Sequence, residues 1–331
     1  MKILEPDIKD RRILSELDRN ARQPNSEIAK KVGLSKEVVK YRIDKMVESG
    51  LILRFHTIVN YFRIGIMKYK LYLKLKNAGK QKREEIGQYF SNHKKSEWVA
   101  LTSGKWDLIV SFYARNVNEF DDDGLEAMNL FTDFIQDKAV TTTLYLAHQT
   151  RGFLAGKEEG EMPKVVYHTT KDKQEMVDAL DEELLRLIAN NARMAATDMA
   201  RRLKTTPRVV QYRIKELERK KIILGYKAHL EPKAMGNLFC KAIIYLTNAN
   251  KGKIDAFTAY ASSLQGAVWP QRVLGSWDFE IDFELPSYDE FQDMLLGMKE
   301  RFPDIIKDQE FAITSKEFKL SLFPGAYPEE R

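Results

Sequence analysis

Ser35-Lys-Glu-Val-Val-Lys-Tyr-Arg-Ile-Asp-Lys-Met-Val-Glu48 returns 171 residues further on as Thr206-Pro-Arg-Val-Val-Gln-Tyr-Arg-Ile-Lys-Glu-Leu-Glu-Arg219. Both stretches read as helices. Ser35 and Thr206 carry the side-chain oxygen that an N-cap needs, and Pro207 sits at the first helical position, where its missing N–H does no harm. Val39, Ile43 and Met46, matched by Val210, Ile214 and Leu217, fall on one side at helical spacing and have to face a core. The opposite side carries Glu37, Tyr41, Asp44 and Lys45 in the first copy and Arg208, Tyr212, Lys215 and Glu216 in the second. Lys40, Gln211, Arg42 and Arg213 lie on the flanks.

The echo extends outward in the same register. Asp10 to Leu53 runs in step with Asp181 to Leu224 without a gap, and the offset also pairs Gly65 with Gly236, Trp98 with Trp269 and Phe120 with Phe291. An ungapped register this long means a duplicated unit. Each copy opens with an apolar helical stripe: Ile8, Ile13, Leu14 and Leu17 in one, Leu180, Leu184, Leu185 and Ile188 in the other. A short second helix follows (Ser26–Val32 and Thr197–Leu203), with Asn25 or Ser26 and then Thr197 as the expected caps. The breaks Gly33-Leu34-Ser35 and Lys204-Thr205-Thr206 separate it from the third helix. Leu51–Val59 and Ile222–Leu230 read as β segments, a wing or a hinge strand.

The rest of each copy changes period. Lys68–Lys76, Glu97–Thr102, Trp106–Phe112 and Ala139–Ala147 read as strands, with helices over Lys82–Asn92 and Asn118–Phe134. The second copy repeats this with strands near Phe239–Leu246, Gly266–Leu274, Trp277–Phe283 and Asp308–Thr314. Its helices lie near Lys253–Ser263 and Ser287–Arg301. The order β-α-β-β-α-β is the split ferredoxin-like arrangement. The expected fold class is therefore α+β: two repeats, each a winged helix-turn-helix followed by a ferredoxin-like unit. The expected divisions are 1–62 and 63–150 for the first copy, a linker at 151–175 holding Gly152, Gly156, Gly160 and Pro163, 176–233 and 234–322 for the second, and an irregular tail at 323–331.

Charge is distributed unevenly. The formal net charge is +6, but residues 19–54 have a basic surplus of five and residues 193–227 a surplus of eight, leaving the remainder about 7 negative. Basic charge at matching places in both copies suits an anionic polymer, with a solvated helical face as the plain alternative. A winged helix-turn-helix puts its third helix in the major groove of duplex DNA. The residues expected to contact DNA are Ser35, Lys36, Lys40, Tyr41, Arg42 and Lys45, with Thr206, Arg208, Gln211, Tyr212, Arg213 and Lys215. Glu37 and Asp44 stand where the second copy has Arg208 and Lys215, so the second copy is expected to bind more tightly, on an imperfect palindrome.

The lone Cys240, in an apolar stretch, reads as a buried strand residue and fits a reducing cytosol. The N-terminus lacks the apolar core of a signal peptide, and no run approaches the ~20 apolar residues of a membrane span. The expectation is a cytoplasmic protein without membrane contact. No metal-ligand spacing, phosphate-cradling glycine loop or nucleophile elbow is present, so neither metal nor cofactor is expected. Asp121-Asp-Asp123 reads as charge at a helix start.

The stretches Asp181-Glu-Glu-Leu-Leu-Arg-Leu-Ile-Ala-Asn-Asn-Ala-Arg193, Met199-Ala-Arg-Arg-Leu203, Tyr212-Arg-Ile-Lys-Glu-Leu-Glu218 and Ile222-Ile-Leu-Gly-Tyr226 resemble the Lrp/AsnC family of feast/famine regulators. Asp10-Arg-Arg-Ile-Leu14, Asn20-Ala-Arg22 and Ile28-Ala-Lys-Lys-Val-Gly-Leu-Ser35 carry the resemblance in the first copy. It implies a transcriptional regulator whose ferredoxin-like units pair through their sheets, sense amino-acid-like effectors and oligomerise. Here the family's dimer would be fused into one chain. The implied effector turns are Gly104-Lys-Trp-Asp107 and Gly275-Ser-Trp-Asp278, where Lys105 and Ser276 replace a commonly acidic residue. The candidate effector residues are Gly104, Asp107, Gly275 and Asp278. Read physically, the glycines also suit a hairpin that needs positive φ, and Trp106 and Trp277 suit strand residues packing on a helix.

Two other classes compete. Fused proteins of this architecture also resemble siroheme decarboxylases, which place histidine and arginine around the middle hairpin. Val99–Phe112 and Val268–Phe283 contain no histidine, and Arg272 is the one arginine in either. General acid–base chemistry needs a positioned proton carrier, and His56, His93, His148, His168 and His229 are scattered, so the chain is not expected to be an enzyme. A protein-interaction adaptor keeps the fold and drops the DNA.

Overall fold

The computed structural model describes residues 5–151, 154 and 165–327. The first copy runs α1 (Ile8–Arg19), α2 (Asn25–Val32), α3 (Lys36–Glu48), β1 (Ile52–Val59), β2 (Met67–Leu75), α4 (Lys80–Asn92), β3 (Ser96–Gly104), β4 (Leu108–Ala114), α5 (Val117–Leu130) and β5 (Ile135–Gln149). Strand β6 (Val165–Thr169) follows. The second copy runs α6 (Ala179–Ile188), α7 (Ala196–Arg202), α8 (Pro207–Arg219), β7 (Ile223–Leu230), β8 (Leu238–Leu246), α9 (Lys251–Ala261), β9 (Ala267–Gly275), β10 (Phe279–Leu285), α10 (Tyr288–Arg301) and β11 (Ile306–Leu320).

The third helices fall where their caps place them, with Ser35 accepting from the Val38 amide at 3.2 Å and Thr206 from Val209 at 3.3 Å. The first helices start on capping boxes, Asp7 with Asp10 and Asp178 with Asp181. The second helices differ from expectation. Each begins one residue earlier, with Pro24 and Ala195 at the cap and no side-chain cap bond, so Asn25, Ser26 and Thr197 lie inside. Ile8 is 66% exposed and outside the apolar stripe, because the buried face starts at Ile13.

Neither β1 nor β7 folds back as a wing on its own helices. They pair with each other, antiparallel, from Ile52 against Leu230 to Val59 against Ile223. The two three-helix units consequently share one core, in which Leu14, Val39 and Ile43 pack in the same cluster as Leu185, Val210 and Ile214.

The remaining strands close a ring in the order β2-β4-β3-β11-β8-β10-β9-β5 and back to β2. The last strand of each copy crosses over. Strand β5 pairs with β2 and then with β9 of the second copy, and β11 pairs with β8 and then with β3 of the first. The pairing with β3 explains why β11 runs on to Leu320, past the expected Asp308–Thr314, whereas the added start of β5, before the expected Ala139, pairs with β2 of its own copy. A closed ring leaves no long edge to seed aggregation. Helices α4 and α5 cover the outer face of one half and α9 and α10 that of the other. Inside, Trp106 and Trp277 pack on each other at 6.1 Å, not on a helix.

The expected linker contains strand β6, which extends the ring along β5, while Gly152, Gly156, Gly160 and Pro163 lie outside the described residues. The Asp121–Asp123 run sits inside α5, whose cap is Asn116, and Asp123 pairs with Lys95 at 2.9 Å. Residues 323–327 of the expected tail have fixed contacts: Phe323 is buried, and the Tyr327 hydroxyl bonds to Glu183 of α6. Cys240 is buried on β8.

Candidate nucleic-acid interface

Helices α3 and α8 each bury one face and offer the other to solvent. Val39, Ile43 and Met46 are buried, as are Val210, Ile214 and Leu217. Ser35, Lys36, Lys40 and Lys45 are exposed on the first helix, and Thr206, Arg208, Gln211 and Lys215 on the second. Tyr41 and Tyr212 project from the middle of these faces, 63% and 61% exposed.

Arg42 and Arg213 are the exceptions among the expected contact residues. Arg42 bonds Asp7 at 2.7 Å and Asp10 at 2.8 Å. Arg213 bonds Asp178 at 2.6 Å and Asp181 at 3.2 Å. Hydrogen bonds to these carboxylates raise both guanidinium pKa values, and the two pairings are the same in both copies. These arginines tie the third helix to the capping box of the first. A spacing argument could not find that partner, which lies 32 or 35 residues away.

The two faces differ in how their charge is spent. On α3, Lys40 pairs with Asp44 at 2.6 Å and Lys45 with Glu48 at 2.8 Å. On α8, Glu216 is held by Arg219 at 2.8 Å, which keeps its pKa low. Arg208 and Lys215 have no ion-pair partner among the described residues. The second face therefore presents uncommitted cations, and on the first Lys40 and Lys45 are each already paired one turn away.

A reciprocal exchange fixes the heads relative to each other. Arg22 donates to the Ala192 carbonyl and to Met194 O at 3.3 Å. Arg193 donates to Ala21 O at 2.7 Å, Gln23 O at 3.5 Å and Asn25 Oδ1 at 2.6 Å. Each arginine also lies over an aromatic ring, Arg22 at 5.7 Å from Tyr226 and Arg193 at 5.3 Å from Phe55. Arg22 and Arg193 occupy equivalent positions and were visible in the sequence only as an identical pair. Their role depends on the unit being doubled.

The candidate effector residues are occupied with structure. Gly104 and Gly275 have φ of 125° and 138°. A side chain at Gly104 would come within 2.5 Å of Phe311 O on β11, and one at Gly275 within 2.3 Å of Val140 O on β5. Asp107 accepts from the Leu75 amide at 2.8 Å and from Arg83 at 2.7 Å. Burial works against its charge, but these donors outweigh it and hold the carboxyl below its usual range. Asp278 accepts from the Leu246 amide at 2.7 Å. Each turn thus sits tightly on the other copy's crossing strand, and its aspartate closes the end of the neighbouring strand.

The structure also joins the reading heads to the ring through a buried strut that sequence reasoning missed. Arg151 bonds Asp18 of α1 at 2.7 Å and Glu284 of β10 at 2.7 and 2.8 Å, and Lys227 stands 3.2 Å from Asp18. Among the described residues no group of three or more metal-ligating side chains gathers, and no helix is long and apolar enough to cross a membrane.

Comparison with known proteins agrees with this architecture. The winged helix-turn-helix DNA-binding family matches residues 6–52, and the AsnC-type helix-turn-helix domain matches residues 177–218. An uncharacterized HTH-type transcriptional regulator of Pyrococcus horikoshii is 33% identical over 112 residues, 33% of this chain and 74% of the relative. The proline dehydrogenase transcriptional activator of Rhodobacter capsulatus is 31% identical over 115 residues, 34% of this chain and 75% of the relative. The leucine-responsive regulatory protein of Haemophilus influenzae is 24% identical over 165 residues, 49% of this chain and 98% of the relative. The crystal structure of a siroheme decarboxylase superposes over 96% of this chain and 94% of its own, with a TM-score of 0.63 and 12% identity, a likeness of fold. With relatives that match a single unit and a chain that holds the unit twice, this protein belongs to the Lrp/AsnC family.

Proposed function

We propose that the chain is a sequence-specific DNA-binding transcriptional regulator carrying two fused reading heads of unequal strength, acting in the cytoplasm. The observation that carries this reading is the pair of exposed third-helix faces, held in fixed relation by the β1–β7 pairing and the Arg22/Arg193 exchange. A fixed pair of helices suits two half-sites on one duplex. Lys36, Lys40, Lys45, Arg208 and Lys215 serve phosphates or base edges, Gln211 suits adenine, and Tyr41 and Tyr212 contact the backbone. Arg42 and Arg213 act at one remove, by orienting the helices that carry these groups. Further assembly of such chains, and an effector that modulates them, remain part of the reading by analogy with the family.

An enzyme of the siroheme decarboxylase kind is the second reading, and the histidines weigh against it. Burial drives His56 down to about 3 and His148, His168 and His229 well below their usual value, so none of these four exchanges protons near neutrality. A mobility-shift titration on genomic fragments at two salt concentrations tests the proposal. Binding that falls steeply with salt supports it, because phosphate contacts release counterions. Absence of binding at low salt overturns it.

A further inference from the structure

The two reading helices part company at their second residue. Helices α3 and α8 have the same length and start on equivalent caps, Ser35 and Thr206. Their second residues are Glu37 and Arg208, and both are exposed. The N-terminal residues of a recognition helix are the ones that reach base edges in the major groove. A reversal of charge at this place therefore changes what the groove has to offer.

Helix stability does not account for the arginine. A helix N-terminus carries partial positive charge, so a carboxylate there is favourable and a cation unfavourable. Glu37 obeys that rule, whereas α8 has no acidic residue in its first turn and sets Arg208 against the dipole. Among the described residues nothing compensates it, since the Arg208 side chain has no hydrogen bond or ion pair. A cation left unpaired at an unfavourable position suits a partner outside the chain.

The next turn repeats the contrast. Lys40 and Gln211 are equivalent and exposed, but Lys40 spends its charge on Asp44 at 2.6 Å. The Gln211 amide has no side-chain partner among the described residues, and neither has the Glu37 carboxylate. Helix α8 thus offers two unengaged groups on successive turns, and α3 offers one of opposite charge.

The scaffold makes these positions comparable. Strands β1 and β7 pair antiparallel, and Arg42 and Arg213 anchor their helices by equivalent bonds. On one duplex, equivalent residues then face equivalent base pairs of two half-sites. In the major groove guanine presents the acceptors O6 and N7, which suit a guanidinium, and adenine presents N6 and N7, which suit an amide. Cytosine presents the N4 amino donor, which suits a carboxylate. Glutamate is shorter than arginine and takes the near base of a pair.

We propose that Glu37 and Arg208 read one equivalent base-pair position with opposite chemistry. Arg208 takes guanine, Gln211 takes an adenine at the next base pair or the one after, and Glu37 takes cytosine where a symmetric operator would carry guanine. The inference rests on the DNA-binding reading above and adds to it which bases break the symmetry. The two half-sites then differ by a G·C pair turned end for end.

Selection from a random DNA pool with the intact chain and with Glu37→Arg tests this. The expected wild-type pool has guanine and adenine in one half-site and cytosine at the guanine-equivalent position of the other. With Glu37→Arg that cytosine should become guanine, and the operator should gain symmetry there. On two duplexes that differ at this pair alone, the two proteins should show opposite preferences of about 10-fold. Glu37→Ala should lose the preference at that pair and keep those elsewhere. Guanine at the equivalent position in both wild-type half-sites overturns the proposal. So does a Glu37→Arg protein that binds every duplex more tightly with the cytosine unmoved, because Glu37 would then only repel phosphates. Both results leave DNA binding standing, whereas pools without enrichment for any of the proteins remove the DNA-binding reading and this inference with it.

Discussion

Helices α3 and α8 share their length, caps and buried side, yet they differ in what they leave for a partner. On α3 the lysines at 40 and 45 are paired with carboxylates on the same helix, whereas α8 leaves Arg208 and Lys215 uncommitted. The scaffold around them is kept in both copies: Arg42 and Arg213 repeat equivalent bonds, and Arg22 and Arg193 cross in opposite directions to the equivalent carbonyls of Ala192 and Ala21. What is held constant fixes where the helices sit, and what has diverged sets how each one reads. A duplicated chain can make that separation because its two surfaces mutate independently, as those of a symmetric homodimer cannot.

The largest expected effect follows from the uncommitted cations. Arg208→Glu with Lys215→Glu should lower DNA affinity on the order of 100-fold, and Lys36→Glu with Lys40→Glu by about 10-fold or less in the same buffer. Titrations of one DNA fragment with both variants check the ranking, and the reverse order would break the comparison. Next come the shared supports. Arg22→Ala and Arg193→Ala should each cost about 2–4 kcal/mol in denaturant unfolding, since each strands buried carbonyls across the same interface. A near-zero value for one of them would mean that the exchange is not reciprocal. Arg42→Ala and Arg213→Ala should cost about 1 kcal/mol and leave the salt dependence of DNA binding unchanged. A fall of about 1 in the salt slope would instead make them phosphate contacts.

A smaller, graded effect concerns pH. His56, His148, His168 and His229 are buried neutral, with pKa values pushed below the usual 6.5. The unfolded chain takes up protons first as pH falls, so each buried histidine removes stability below about 6.5, at about 1.4 kcal/mol per pH unit. Glu317, raised to about 7, works the other way in the same window, because its folded form holds the proton that the unfolded form has released. The histidines outnumber it, so melting temperature should drop as pH falls from 6.5 to 5. A flat profile would contradict the burial of these rings.

Local signals in the sequence carried far in some places and not in others. The bounds of α3 and α8 were legible because Ser35, Thr206 and Pro207 mark a helix start by themselves. The strands near 52–59 and 223–230 were legible as strands, yet their pairing with each other was not, since alternation reveals a face and never a partner. The length of β11 was underestimated for the same reason: its outer half is stabilised by β3 of the other copy, which a reading of one repeat does not contain, whereas the missed start of β5 pairs with β2 of its own copy. Among the site residues, the exposed ones were legible from helical spacing. Arg42 and Arg213 read as flank residues able to contact DNA, because their carboxylate partners at the start of another helix leave no trace in local spacing.

Selection of bound sequences from a random DNA pool by the intact chain tests the central claim most directly. Two fused heads of unequal strength predict two half-sites at a fixed spacing, one of them much better defined than the other, with the weaker one alone surviving in Arg208→Glu/Lys215→Glu. A perfect palindrome with equal half-sites, or a pool with no enrichment, would contradict it.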